Sequence, residues 1–168
     1  MKYFLVERNK ELVHTPVLKG VHTFTKNFYE KLPKISTFDV EDDPDIIFPV
    51  MIVSPILLLK EKAKEIFDNY MPFMKYKTAY CSNPTSKESQ FYYLPLLPRI
   101  KCLSDASDIS ESQGTVLKAI IKNDFIEHNY IFQIAELPAQ TVVMRLDLIE
   151  SLLSRGITEF CIKEVELC

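Results

Sequence analysis

Two stretches of this chain share one order of parts: an apolar strand, a capping position, an amphipathic helix and a return strand. The first covers 50–80 and opens Val50-Met51-Ile52-Val53-Ser54-Pro55; the second covers 142–165 and opens Val142-Val143-Met144-Arg145-Leu146-Asp147. Such an ordering demands that each helix lie on a sheet, because a one-sided helix and a strand face are stable only when they bury their apolar sides together. In the first stretch Ser54 is the expected N-cap and Pro55 the first helical residue, where no N–H is needed. Ile56, Leu59, Ala63, Ile66, Phe67 and Tyr70 then recur at helical spacing, lysines and glutamates fill the other face, and Pro72 closes the run. In the second, Asp147 is the expected cap and Glu150 completes a capping box, while Arg155-Gly156 supply a cation and a stop. Helices are expected over about 55–71 and 147–155. If its strands are parallel neighbours, each unit crosses over right-handed.

The other elements read as strands. Tyr3 to Glu7 is rich in aromatic and branched residues, and Ile46 to Val53 is a continuous apolar run, expected to be covered on both faces. Phe73 to Tyr80 alternates, with Phe73, Lys75 and Lys77 set against Met74, Tyr76 and Thr78. Phe91 to Leu103 is extended but interrupted by Pro95 and Pro98, which points to an edge or bulged strand. Val116–Ile121 and Tyr130–Ala135 flank a turn, Thr141–Met144 follows, and Ile157–Leu167 closes the chain. The fold class is therefore α+β: a mixed, largely antiparallel sheet with two main amphipathic helices. The length suits a single domain over 1–168, in which an irregular part over 1–45 precedes a core over 46–168.

Several chemistries find no footing. A net charge of −3 is too small for general adhesion to nucleic acid or anionic membrane. The first residues, Met-Lys-Tyr-Phe-Leu-Val-Glu-Arg, return to charge too soon for a signal peptide, and Ile46–Leu59 is too short to span a bilayer, so a cytoplasmic location is expected. Cys81, Cys102, Cys161 and Cys168 form no C-x-x-C pair; buried thiols are expected for most, with Cys168 exposed. Gly20, Gly114 and Gly156 make no phosphate loop, and Ser110 and Ser112 before Gly114 are not a nucleophile elbow. His14, His22 and His128 have no compact ligand spacing, and Cys102 with His128 lacks any supporting motif. No cofactor, metal or catalytic group is expected. Phe73–Tyr80 with Tyr92-Tyr93 interleaves aromatics and lysines as single-strand grooves do, but given the acidic balance a strand with one face in the core and its lysines in water is the favoured reading, and no nucleic-acid partner is expected. What stands out is acidic: Asp39, Glu41, Asp42, Asp43 and Asp45 around Pro44, with no Lys or Arg between Lys34 and Lys60, and a second loop with Asp105, Asp108 and Glu111.

Three segments carry a family likeness: Pro98-Arg99-Ile100-Lys101-Cys102-Leu103-Ser104-Asp105 with Ser107, Tyr130-Ile131-Phe132-Gln133-Ile134, and the strand–helix–Gly-Ile-Thr-Glu-Phe of 141–160. Together they resemble a family of bacterial immunity proteins of polymorphic toxin systems, most strongly over 92–167. The chain departs from that pattern by Ser104, inserted between Leu103 and Asp105, and by a shorter, more irregular N-terminal third. The resemblance implies a non-catalytic protein that binds and neutralises a cognate toxin by direct contact. Charge, not the resemblance, makes the two acidic loops the candidate surfaces: carboxylates speed capture of a cationic partner such as a nuclease. Phe38, Tyr92 and Tyr93 are candidate aromatic anchors. A general interaction or scaffold domain is the alternative, and an enzyme of unrecognised type a third reading. A homodimer through the closing strand stays open.

Overall fold

The structure is a computed structural model and describes residues 1–21, 26–110, 112 and 115–168. In chain order β1 (Tyr3–Arg8) precedes α1 (Lys26–Lys31) and β2 (Ile35–Asp39). The hairpin β3 (Met51–Ile52) and β4 (Leu58–Leu59) leads into α2 (Glu61–Tyr70), β5 (Tyr76–Ser82) and β6 (Ser89–Pro95). Four short strands follow: β7 (Arg99–Ile100), β8 (Asp108–Ser110), β9 (Thr115–Lys118) and β10 (Ile120–Ile121). The chain ends with β11 (Ile131–Ile134), β12 (Val142–Arg145), α3 (Leu146–Ser154), β13 (Phe160–Glu164) and β14 (Glu166–Leu167). This is an α+β fold of mixed, mostly antiparallel sheets with two main helices. No helix among the described residues is long and apolar enough to cross a membrane.

The two matching stretches become two sheets of the same plan. One sheet runs β13-β1-β12-β11-β7 and the other β2-β5-β6-β4-β3. In the first, β11 and β12 form a hairpin, α3 crosses over, and β13 lies parallel to β12 with antiparallel β1 between them. In the second, β3 and β4 form the hairpin, α2 crosses over, and β5 lies parallel to β4 with antiparallel β6 between them. The paired strands of each crossover are thus not neighbours, because another strand sits between them. Ala63, Ile66 and Phe67 of α2 and Leu148, Ile149 and Leu152 of α3 share one apolar cluster with Val6, Met51, Leu59, Ile131, Val142 and Met144. Both sheets and both helices therefore meet in a single core. A second cluster backs one sheet with Leu18, Val21 and Tyr29 against Ala79, Cys81 and Tyr92; a third backs the other with Cys102, Ile121 and Val165 against Leu5, Phe132 and Val143.

Several local expectations are corrected. Helix α2 starts at Glu61, with Lys60 as its N-cap, not at Ser54-Pro55. The reason is Ile56-Leu57-Leu58-Leu59: four consecutive residues buried on all sides cannot form one stripe of a surface helix, so they fold back onto Met51 and Ile52. The run 46–53 is a strand only at Met51–Ile52; Pro49 offers no N–H and Ile47 is exposed. β5 begins at Tyr76, since Pro72 and Phe73 turn and Phe73 is 94% exposed. β6 is an interior strand, and Pro95 is tolerated because it sits on the last rung, opposite Tyr76. The strands at 115–121 and 131–134 do not pair with each other: β10 joins β14, and β11 joins β12 and β7.

Asp147 does not cap α3 either. Arg145 holds its carboxylate in a fork, Nε to Oδ1 at 2.8 Å and a terminal guanidinium nitrogen to Oδ2 at 2.6 Å, so the expected capping box gives way to this ion pair. The C-terminus of the helix ends as expected. Gly156 adopts φ +76°, its N–H donates to Leu153 O at 3.0 Å, and the Ile157 N–H donates to Leu152 O at 3.1 Å. This double bond closes the helix and buries Ile157 beside Leu152. A Cβ at Gly156 meets nothing within 4 Å, so Gly156→Ala costs only its left-handed backbone. Denaturant unfolding is expected to show a loss of about 1 kcal/mol; unchanged stability would contradict this account of the helix end.

Candidate functional site

The first acidic loop is an ordered extension of the β2–β5 ladder. Val40 N–H donates to Ser82 O at 2.9 Å, Glu41 N–H to Val17 O at 2.8 Å, and Ile47 N–H to His14 O at 2.8 Å. Asn83, fully buried, donates its amide to Asp43 O at 3.0 Å, and Asp43 Oδ1 accepts from Asp45 N–H at 2.9 Å. Asp39, Glu41, Asp42 and Asp45 remain exposed on this fixed backbone. Asp43 is a tether: its Oδ2 lies 2.9 Å from His14 Nδ1. One imidazole nitrogen and two carboxylate oxygens, of Asp43 and Asp45, converge here within 4.8 Å of one another. Sequence spacing gave no signal of this pairing, since 29 residues separate His14 from Asp43.

Next to the loop lies an uncovered sheet face. Alternate residues of β2 place Ile35, Thr37 and Asp39 on one side, in register with Thr78, Tyr80 and Ser82 of β5, while Tyr93, Phe91 and Ser89 of β6 lie beyond. The rings form an edge-to-face ladder: Tyr80–Phe91 at 5.5 Å, Phe91–Tyr93 at 4.8 Å and Tyr76–Tyr93 at 6.0 Å. Near α2 the ladder is occupied. Lys64 Nζ stands 4.8 Å from the Tyr76 ring centre and 5.2 Å from that of Tyr93, while Asp68 accepts from both Lys64 and the Tyr76 hydroxyl. Away from α2, Ile35, Tyr80 and Phe91 are exposed. An aromatic surface therefore runs into a carboxylate rim at Asp39.

The expected anchors fall differently. Tyr92 is fully buried, its hydroxyl donating to Pro49 O at 2.7 Å, and Phe38 is buried behind the sheet; Tyr93 is half-buried. Tyr92 lies inside and the Lys77 ammonium donates to the Tyr29 and Leu32 carbonyls, so these two residues of the aromatic–lysine pattern do not line an exposed groove. Of the exposed rings, alternation singles out Tyr80, which lies between buried Ala79 and Cys81, whereas Phe91 lies between exposed Gln90 and buried Tyr92.

The second acidic loop stands apart. Ser107 ties it to β10, donating to Ile120 O at 2.9 Å and accepting from Ile120 N–H at 3.0 Å. Asp105 and Asp108 are exposed, and Asp108 faces Lys118 across the β8–β9 hairpin; Glu111 lies outside the described residues. Among the described residues no hydrogen bond or ion pair joins the two loops, and each packs on a different cluster. Burial pushes the thiols of Cys81 and Cys102 up to about 12, while Cys161 as well as Cys168 is exposed. An apolar groove of about 490 Å³, missed in the sequence, is lined by Tyr70, Met71, Phe73, Met74, Tyr130 and Ile131. The Met71-Pro72-Phe73-Met74 run was its one visible sign.

No protein-family model matches this chain, and no curated protein matches it.

The His14–Asp43 tether has a defined pH window. The Asp43 hydrogen bond raises the His14 pKa above its ordinary 6.5, so the imidazolium's contribution is complete below 6.5 and lost as pH rises through the raised value. The same bond lowers Asp43 below its ordinary 3.8, so that contribution holds above 3.8 and is lost as pH falls through the lowered value. The tether is fully formed between those two ordinary values. An NMR titration is expected to place His14 above 6.5 in the native chain and closer to 6.5 in Asp43→Asn; identical curves would remove the tether.

Proposed function

We propose that this chain is an immunity protein, which captures and blocks a cognate protein toxin by surface contact without catalysis. The observation that carries the reading is the continuity of the exposed Tyr80–Phe91 face with the fixed Asp39–Asp45 loop. Protein interfaces draw most of their affinity from a few large side chains shielded from water by a polar rim, and aromatic rings are prominent among them. Carboxylates on a prearranged backbone add attraction for a basic partner at little ordering cost. A cationic nuclease toxin fits that chemistry, and capture would take place in the cytoplasm of the cell that makes it. Asp39, Glu41, Asp42 and Asp45 steer the partner in this reading, and Asp43 holds the loop. Asp105 and Asp108 contribute less, because Asp108 already faces a lysine across its hairpin.

The test uses the product of the adjacent open reading frame as the binding partner. Glu41→Lys with Asp42→Lys is expected to weaken capture strongly at low salt and progressively less as salt screens the charges. Phe91→Ala is expected to weaken it at least about tenfold at every salt concentration, as loss of a buried anchor does. Calorimetry showing both variants binding like the native chain would exclude this surface.

A further inference from the structure

We propose that the chain also forms a homodimer, in which β13 pairs antiparallel with β13 of a second copy about a two-fold axis through Cys161. β13 ends its sheet, and its one strand partner among the described residues is β1. The register sets Leu5 opposite Lys163 and Glu7 opposite Cys161, and two residues further on the Val165 N–H donates to Tyr3 O at 3.0 Å. Antiparallel pairs alternate between hydrogen-bonded and non-bonded, so Cys161 and Lys163 spend their backbone groups on β1. The N–H and C=O groups of Phe160, Ile162 and Glu164 then point away from β1, to the open edge. Cys161, Ile162, Lys163 and Glu164 are all exposed. The open stretch ends at Glu164, because the next outward residue, Glu166, donates its N–H to Ala119 O at 3.2 Å in the pairing with β10; what remains open is a template for another strand.

The sequence at the edge says which strand fits. Glu159-Phe160-Cys161-Ile162-Lys163 is self-complementary when reversed about Cys161. Phe160 then lies opposite Ile162 of the second copy, and their outward backbone groups meet as a hydrogen-bonded pair. Extending the pairing by one residue sets Glu159 opposite Lys163 of the second copy, a favourable cross-strand charge pair. The neighbouring registers are worse: a centre at Lys163 opposes two lysines, and a centre at Ile162 sets Glu164 against Phe160. Glu159 accepts from the Val50 and Thr158 N–H groups, Lys163 donates to Leu117 O at 2.7 Å, and neither forms an ion pair among the described residues. The edge belongs to the other sheet from the Tyr80–Phe91 face.

The same register makes the dimer readable. Cys161 faces its counterpart in a non-hydrogen-bonded pair, where Cα atoms lie about 4.5 Å apart, within the disulfide range of about 4.4–6.8 Å. In reducing buffer, sedimentation is expected to show a mass rising with concentration from 19.5 kDa toward twice that value. Ile162→Pro removes an outward N–H without touching the β1 ladder, and Lys163→Glu opposes two carboxylates; both are expected to shift the protein toward monomer. With diamide as oxidant, two Cys161 thiols give up two protons and two electrons to it and become one disulfide. A linked dimer is expected in the native chain and in Cys168→Ser, and none in Cys161→Ser. Circular dichroism checks folding, and if Ile162→Pro fails to fold, Lys163→Glu and the cysteine variants decide. A native chain that stays at 19.5 kDa at every concentration overturns the proposal. So does a dimer indifferent to Lys163→Glu, or cross-linking that survives in Cys161→Ser.

Discussion

The packing of α2 against α3 organises the molecule. Phe67 and Ile66 on one helix and Leu148 and Leu152 on the other sit in one apolar cluster that also takes a face from each sheet. Neither half of the chain could bury its helix alone, because each sheet offers only its inner face and each helix only one stripe. The Tyr70 hydroxyl adds a directional tie, donating to Asp147 O at 3.0 Å across the helix pair. The same packing decides what is left bare. Helix α2 spans ten residues and covers Tyr76 and Tyr93 but not Tyr80 and Phe91, so the outer end of the β2–β5–β6 face reaches solvent. The candidate interface is thus a consequence of how short the covering helix is.

The recurrence of strand, helix and strand was visible in the sequence, and so were α3 and its Gly156 end, because apolar periodicity and a left-handed glycine are local signals. Strands at Tyr3–Glu7 and within Phe91–Leu103 were legible too, but not the insertion of β1 and β6 between the crossover strands. They come from the chain's start and from beyond β5, and nothing local marks a strand as sitting between two others. Ser54-Pro55 carried the chemistry of a helix start, yet the buried run Ile56–Leu59 outweighed it: tertiary burial overrode a cap signal. Asp147 failed as the N-cap because the helix already begins at Leu146, and its carboxylate, held by the Arg145 guanidinium, accepts only from the adjacent Leu148 N–H at 3.0 Å.

The site was legible in part. A run of carboxylates around a proline announced an exposed loop, but its fixed shape depends on Asn83 and His14, which are distant in sequence. The aromatic anchors were misassigned between Tyr92 and Phe91 because adjacent residues of a strand face opposite sides, so a one-residue error in parity exchanges core for surface.

What emerges is a scaffold with two separate outward features: an aromatic face with a carboxylate rim on one sheet, and a bare strand edge on the other. The central claim is that the first of these engages the partner. Hydrogen–deuterium exchange of the chain with and without the product of the adjacent open reading frame tests it most directly. The account predicts that the partner slows exchange across 35–45 and 78–93 and leaves 70–75 and 128–131, around the apolar groove, unchanged. Protection confined to that groove, with 35–45 and 78–93 exchanging as in the free chain, would contradict it.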